Sequence, residues 1–179
     1  GEWFVAEADE YVTDPGHDAT PRFLWLAPEI LVITNIDYDH PDVYASLKDI
    51  EEAFNKLYAK VPATGEIIRP SGSHIKSVRF DGGRTYFHLD VDGITLGEFM
   101  LQVPGMHNVV NAALAARAAT SAGVSWDKIA KGLAEFGGAK RRFEKIGAIG
   151  STLFYDDYAH HPAEIAATLA AARAWFPDR

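Results

Sequence analysis

The run Ile30-Leu31-Val32-Ile33-Thr34 has no polar residue before its last position, and it passes into the cluster Asn35-Ile36-Asp37-Tyr38-Asp39-His40. A short run that is apolar without alternation fits a strand covered on both faces, as in a parallel sheet flanked by helices. Trp3-Phe4-Val5-Ala6 repeats the pattern and ends in Glu7-Ala8-Asp9-Glu10. Two such runs predict buried strands of a mainly parallel sheet, so the expected fold class is α/β. Side chains at the carboxyl ends of such strands face the crevice where ligands bind. The polar clusters are therefore where chemistry is expected.

The remaining periodicities fill in the elements. Tyr11 to Pro21 is rich in Asp, Thr, Gly and Pro and predicts a loop. Leu47, Ile50, Phe54 and Leu57 follow a three, four, three spacing that places them on one face of a helix over 43–57. From Glu66 to Val103 the period changes to two, with turns at Asp81-Gly82-Gly83 and Asp92-Gly93, which predicts an antiparallel meander. The Ala-rich stretch 108–122 predicts a strong helix ended by Gly123, and 126–136 a second one. Gly137-Gly138-Ala139-Lys140 reads as a hinge. After it, 143–155 predicts strand, Gly turn and strand, and 163–176 a helix.

Composition removes several classes of function. Of 179 residues, 47% are apolar and 23% charged, and no apolar run is long enough to cross a bilayer. A net charge of −8 disfavours a polyanion binder, because nucleic-acid affinity rests on Lys and Arg at phosphates. Without cysteine there is no disulfide, thiol nucleophile or zinc ribbon. The missing initiator Met, the strand-like start at Trp3 and the ending at Pro177-Asp178-Arg179 predict an internal piece of a longer chain, with no export leader before Gly1.

Five clusters stand at predicted element ends. Carboxylates in "EADE" fit a hard divalent cation bridging to phosphate, or a solvated acidic loop. In "TNIDYDH" an imidazole beside carboxylates could complete such a metal site with Glu7, and Asp39 could equally cap a helix. Asn108 and Asn111 lie three apart on the first turn of the Ala-rich helix, and an amide matches the donor and acceptor edge of adenine; an Asn cap explains Asn108 alone. Arg141-Arg142 beside the hinge fit a transferring phosphate, or a surface ion pair. "DDYAHHP" (156–162) places two carboxylates, a phenol and two imidazoles where a strand gives way to a helix, with Pro162 in the first helical turn. A cap accounts for one of those groups and not for all five. His17, His74 and His88 are assigned no role.

Taken in order, "EADE", "TNIDYDH", "PGMHNVVNA", "RRFE" and "DDYAHHP", followed by "AARAWFPDR", resemble the Mur ligases, ATP-dependent amide-forming enzymes of peptidoglycan synthesis. Within that family they look most like the branch joining L-alanine to UDP-N-acetylmuramate. The resemblance implies that 1–139 is the later part of a central ATP-binding domain and 140–179 the opening β-β-α of a Rossmann-like C-terminal domain. The family's glycine-rich phosphate loop is not among these residues. The implied chemistry is cytoplasmic: a sugar-linked carboxylate attacks the γ-phosphate of ATP, and an amine displaces phosphate from the resulting acyl phosphate.

On this resemblance Glu7 and His40 each hold a magnesium ion, and Asn108 and Asn111 read adenine. Arg142 reaches the phosphates across the hinge and Asp157 accepts from the ribose hydroxyls. Tyr158 and His160 border the acceptor pocket. Arg142 and His160 are thus the expected catalytic residues, ATP and Mg2+ the cofactors, and UDP-N-acetylmuramate with L-alanine the partners, without nucleic acid or membrane insertion. Tyr11, where the alanine-adding enzymes usually have Ser-Asp, resembles instead the recycling ligase that adds a tripeptide to the same UDP-sugar. A non-catalytic nucleotide-binding module and a two-metal phosphoesterase are the readings from other classes.

Overall fold

The computed structural model describes residues 2–71, 74–91 and 94–178. Its contacts divide the chain into two units, 1–70 with 121–123, and 71–120 with 124–179. Among the described residues no helix is long and apolar enough to cross a membrane.

In the first unit, β1 (Val12–Asp14) and β2 (Asp18–Pro21) form an antiparallel hairpin, followed by a 3₁₀ turn at Arg22–Trp25. The expected loop over 11–21 is thus paired, because the Thr13 hydroxyl donates to the Thr20 carbonyl and the Trp25 indole donates to Thr13 Oγ1. Strand β3 (Ile30–Val32) lies parallel to β4 (Glu66–Ile68), joined through α1 (Leu47–Tyr58). Ile50, Ala53, Phe54 and Leu57 bury one face of α1 among Phe23, Leu31, Ile33 and Tyr44, while Leu47 stays exposed.

Two expectations fail here. Residues 66–68 belong to this parallel pair and not to the meander. Trp3 to Ala6 forms no strand: it has no ladder partner among the described residues, and Phe4 and Val5 are 89% and 92% exposed. An apolar run becomes a strand only where a neighbour takes its backbone hydrogen bonds. The parallel component is therefore the β3–β4 pair, within a mixed α/β architecture.

In the second unit, β5 (Ile75–Asp81), β6 (Arg84–Val91) and β7 (Ile94–Leu101) make the antiparallel meander in the order β5-β6-β7. Its first turn is Gly82-Gly83, as expected; the turn at Asp92-Gly93 lies outside the described residues. Period two sends Thr85, Phe87 and Leu89 inward from β6, and Phe99, Leu101 and Val103 inward from β7 and its end. Helices α2 (Met106–Ser121) and α3 (Trp126–Glu135) cover that face through Val109, Ala112, Ala116 and Ile129. Small side chains on α2 let it approach the sheet, and Phe87 stacks on Phe99 at 5.7 Å. The chain closes with the antiparallel pair β8 (Glu144–Ile149) and β9 (Thr152–Asp156), then α4 (Pro162–Trp175), the β-β-α expected for 143–176.

Candidate active site

The acidic cluster after Ala6 is sorted by the β1–β2 hairpin. Asp9 faces Arg22 at 2.5 Å and accepts the Tyr11 N–H at 2.8 Å. Burial raises its pKa, but the Tyr11 N–H and Arg22 outweigh that and hold it below the usual carboxylate value. Glu10 Oε1 lies 3.2 Å from His40 Nε2, and the Tyr11 ring sits 4.9 Å from the same imidazole while its hydroxyl donates to Asp42 at 2.6 Å. The partner of His40 is thus Glu10. Glu7, the expected metal ligand, is exposed and makes no ion pair among the described residues. Asp39 caps no helix; it accepts the N–H of His40, whose φ is +57°, and α1 starts later, after Ser46.

The second unit brings Arg141 and Arg142 to the "DDYAHHP" turn. Arg141 and Phe143 both adopt the left-handed backbone region, at φ +57° and +52°. Bulky residues hold that conformation only where the surroundings impose it, and such strain gathers at functional sites. Here the surroundings are two carboxylates: Glu144 accepts the Arg141 N–H at 2.8 Å, and Asp157 Oδ2 accepts the Phe143 N–H at 2.8 Å. Asp157 Oδ1 also accepts the Ala159 N–H, and the Tyr158 N–H donates to the Arg141 carbonyl. Asp157 therefore ties the loop after Arg142 to its own turn, one oxygen on each.

Above that backbone the side chains interleave. The Arg141 guanidinium lies 4.5 Å from the Tyr158 ring centre and pairs with Asp156 at 3.6 Å. Arg142 lies 5.9 Å from the same ring, and its Nη1 is 3.6 Å from Glu164 Oε1. His160 Nδ1 lies 3.1 Å from the Tyr158 carbonyl, with the two rings edge to face at 5.3 Å. His161 and Glu164 form a capping box that starts α4, with Pro162 in its first turn as expected. Burial opposes ionisation of Glu164, yet the N–H groups of His160 and His161, with Arg142 and His160, hold its carboxyl below the usual value. Sequence reasoning missed Glu164, although a carboxylate three residues after a cap residue is the signal of such a box.

At the start of α2, Asn108 and Asn111 differ. The Asn108 amide donates to the Pro104 carbonyl at 2.7 Å, leaving its oxygen available. Asn111 is exposed and makes no hydrogen bond among the described residues. Preceding them, Gly105 takes φ +95°, and a Cβ there would stand 2.6 Å from the His107 ring and 2.9 Å from Ala171. Partial desolvation pushes the imidazole of His107, a residue still exposed, below its ordinary pKa; Asp157 opposes this and Arg142 adds to it. His107, absent from the expected set, thus feels the charges of both Asp157 and Arg142. A groove of about 500 Å³ runs beside Gly137-Gly138-Ala139-Lys140, lined by Gly138, Lys140, Arg142, Lys145 and Trp175 among others.

The segment 141–179 matches the model of the family described as "Mur ligase, glutamate ligase domain". A UDP-N-acetylmuramate–L-alanine ligase of Desulfitobacterium hafniense (strain Y51) is 35% identical over 202 residues, covering 100% of this chain and 43% of the relative. Over its whole length the chain is thus similar to Mur ligases. Among solved structures, this chain is similar to the UDP-N-acetylmuramate–alanine ligase of Thermotoga maritima, with a TM-score of 0.74 at 27% identity over 87% of this chain and 40% of the other. It is also similar to a murein peptide ligase of Psychrobacter arcticus, with a TM-score of 0.64 at 27% identity over 92% and 38% respectively. The chain thus spans less than half the length of the curated relatives it matches.

Proposed function

We propose that the chain is part of a cytoplasmic ligase that joins L-alanine to UDP-N-acetylmuramate through an acyl phosphate. Residues 1–139 would be part of its ATP-binding domain, and 140–179 the start of its C-terminal domain. The observation carrying this reading is the convergence of Arg142, Asp157, Tyr158 and His160, from two separate segments, on one cluster; the similarity to alanine-adding ligases supplies the substrates. ATP, when bound, supplies the phosphoryl group that activates the carboxylate.

The residues present fit that nucleotide. Arg142 offers further N–H donors beyond the one facing Glu164. Asn111 offers a free amide and Asn108 its oxygen, a set complementary to the adenine edge. Each Asp157 oxygen accepts one N–H and keeps a lone pair for a ribose hydroxyl. At His160 both neighbours of Nδ1, the Tyr158 carbonyl and Glu164, are acceptors, which favours the proton on Nδ1 and leaves Nε2 to take one from an incoming amine.

Magnesium fits more sparely. No group of three His, Asp or Glu residues is arranged to hold an ion among the described residues. Glu7 and His40 would each contribute a single ligand, in keeping with an ion that retains its waters and binds through one or two protein groups with phosphate. One observation favours the tripeptide ligase: Tyr11 packs on His40 where the alanine-adding branch usually has Ser-Asp.

The test uses the full-length parent chain with ATP, magnesium and UDP-N-acetylmuramate, offering L-alanine and the tripeptide separately and weighing the products. A gain of one alanine supports the proposal, a tripeptide gain supports the recycling ligase, and no adduct overturns both. The same protein with Asn111→Ala is expected to bind ATP about tenfold more weakly with unchanged thermal stability; unchanged affinity would remove the adenine role. The 179 residues alone, which lack the phosphate loop, are expected to form no amide.

A further inference from the structure

We propose that Glu164 is a positioning residue that sets both the Arg142 guanidinium and the His160 imidazole from the first turn of α4. The proposal rests on the reading of Arg142 as a phosphate-binding group. A capping role alone requires only that Glu164 accept the N–H of His161, which its Oε2 does at 3.3 Å. The carboxylate does more. Oε2 also accepts the His160 N–H at 3.2 Å and lies 3.8 Å from His160 Nδ1, while Oε1 faces Arg142 Nη1 at 3.6 Å.

Arg142 needs such an anchor. Its backbone is clamped between two left-handed residues, but its long side chain is more than half exposed, and Glu164 is its only ion-pair partner among the described residues. Arg141, by contrast, is already held by Asp156 and stacks on Tyr158. A single contact at 3.6 Å is longer than a hydrogen bond, so it orients the guanidinium by charge and leaves its fork open to a phosphate. The carboxylate thereby links the cap of α4 to the hinge, and any movement of the start of α4 moves Arg142 and His160 together.

Glu164→Gln separates this role from capping, because an amide oxygen still accepts the two backbone N–H groups but carries no charge. In the full-length protein, Glu164→Gln is expected to change Tm by no more than about 2 °C. It is expected to weaken ATP binding, measured by calorimetry, about fivefold when Arg142 is present and less than about twofold in an Arg142→Ala background. Glu164→Ala, which removes the cap as well, should lower Tm further. Without ligand, the Arg142 Nε–H signal in a nitrogen-15 spectrum should broaden in Glu164→Gln. Equal weakening in both backgrounds, no weakening, or an unaltered Arg142 signal would overturn the proposal. A wild-type protein that fails to bind ATP would sink the nucleotide reading instead, and the Arg142 signal would then decide the role of Glu164 by itself.

Discussion

Asp157 shows how one side chain combines structure with a place in the site: its two oxygens hold the backbone N–H of Phe143, next to Arg142, and that of Ala159, and still have capacity for a ligand. The chemical types at such positions were legible in the sequence, since "DDYAHHP" carries more polar groups than a cap needs. Their partners were not. His107 gives the testable case. Burial and Arg142 lower its pKa against the opposing pull of Asp157, so the folded chain disfavours the imidazolium and the unfolded chain takes up the proton first. Stability should therefore rise with pH through the window between the lowered value and 6.5, and be lost as pH falls through that window. The Tm of His107→Gln, followed from pH about 5 to 7, should lack that part of the slope. An identical slope in the variant would mean that another group is responsible.

At the scale of elements, α2, α3 and α4 and the β5-β6-β7 meander were legible because helical spacing, alternation and Gly turns are local properties. The β1–β2 hairpin and the parallel placement of β4 were not, since both depend on a partner strand elsewhere in the chain. The entry to α2 is constrained by Gly105 in a way its sequence motif does not reveal. Replacing it with alanine would impose left-handed strain and set a methyl group against His107 and Ala171. Gly105→Ala is expected to cost about 3 kcal/mol, read as a lower midpoint in urea denaturation. In the sheet core, Phe87 is fully buried and stacked on Phe99, so Phe87→Ala should cost about 3–5 kcal/mol by the same measurement.

For the whole molecule, the net charge of −8 and pI near 5.3 predict no retention on heparin or DNA at physiological salt, which a column measurement checks directly. Retention that weakens with added salt would contradict the expectation of no nucleic-acid partner. The sequence by itself determined the α/β class, the helices, the meander and the order of the polar clusters, because period, turn chemistry and motif spacing act over a few residues. Only the tertiary structure decided that His40 meets Glu10 and not Glu7, that Trp3 to Ala6 finds no strand partner among the described residues, and that Arg142 rests on Glu164. Each of those outcomes depends on segments distant along the chain being brought together by strand pairing and core packing, and no local pattern carries that information.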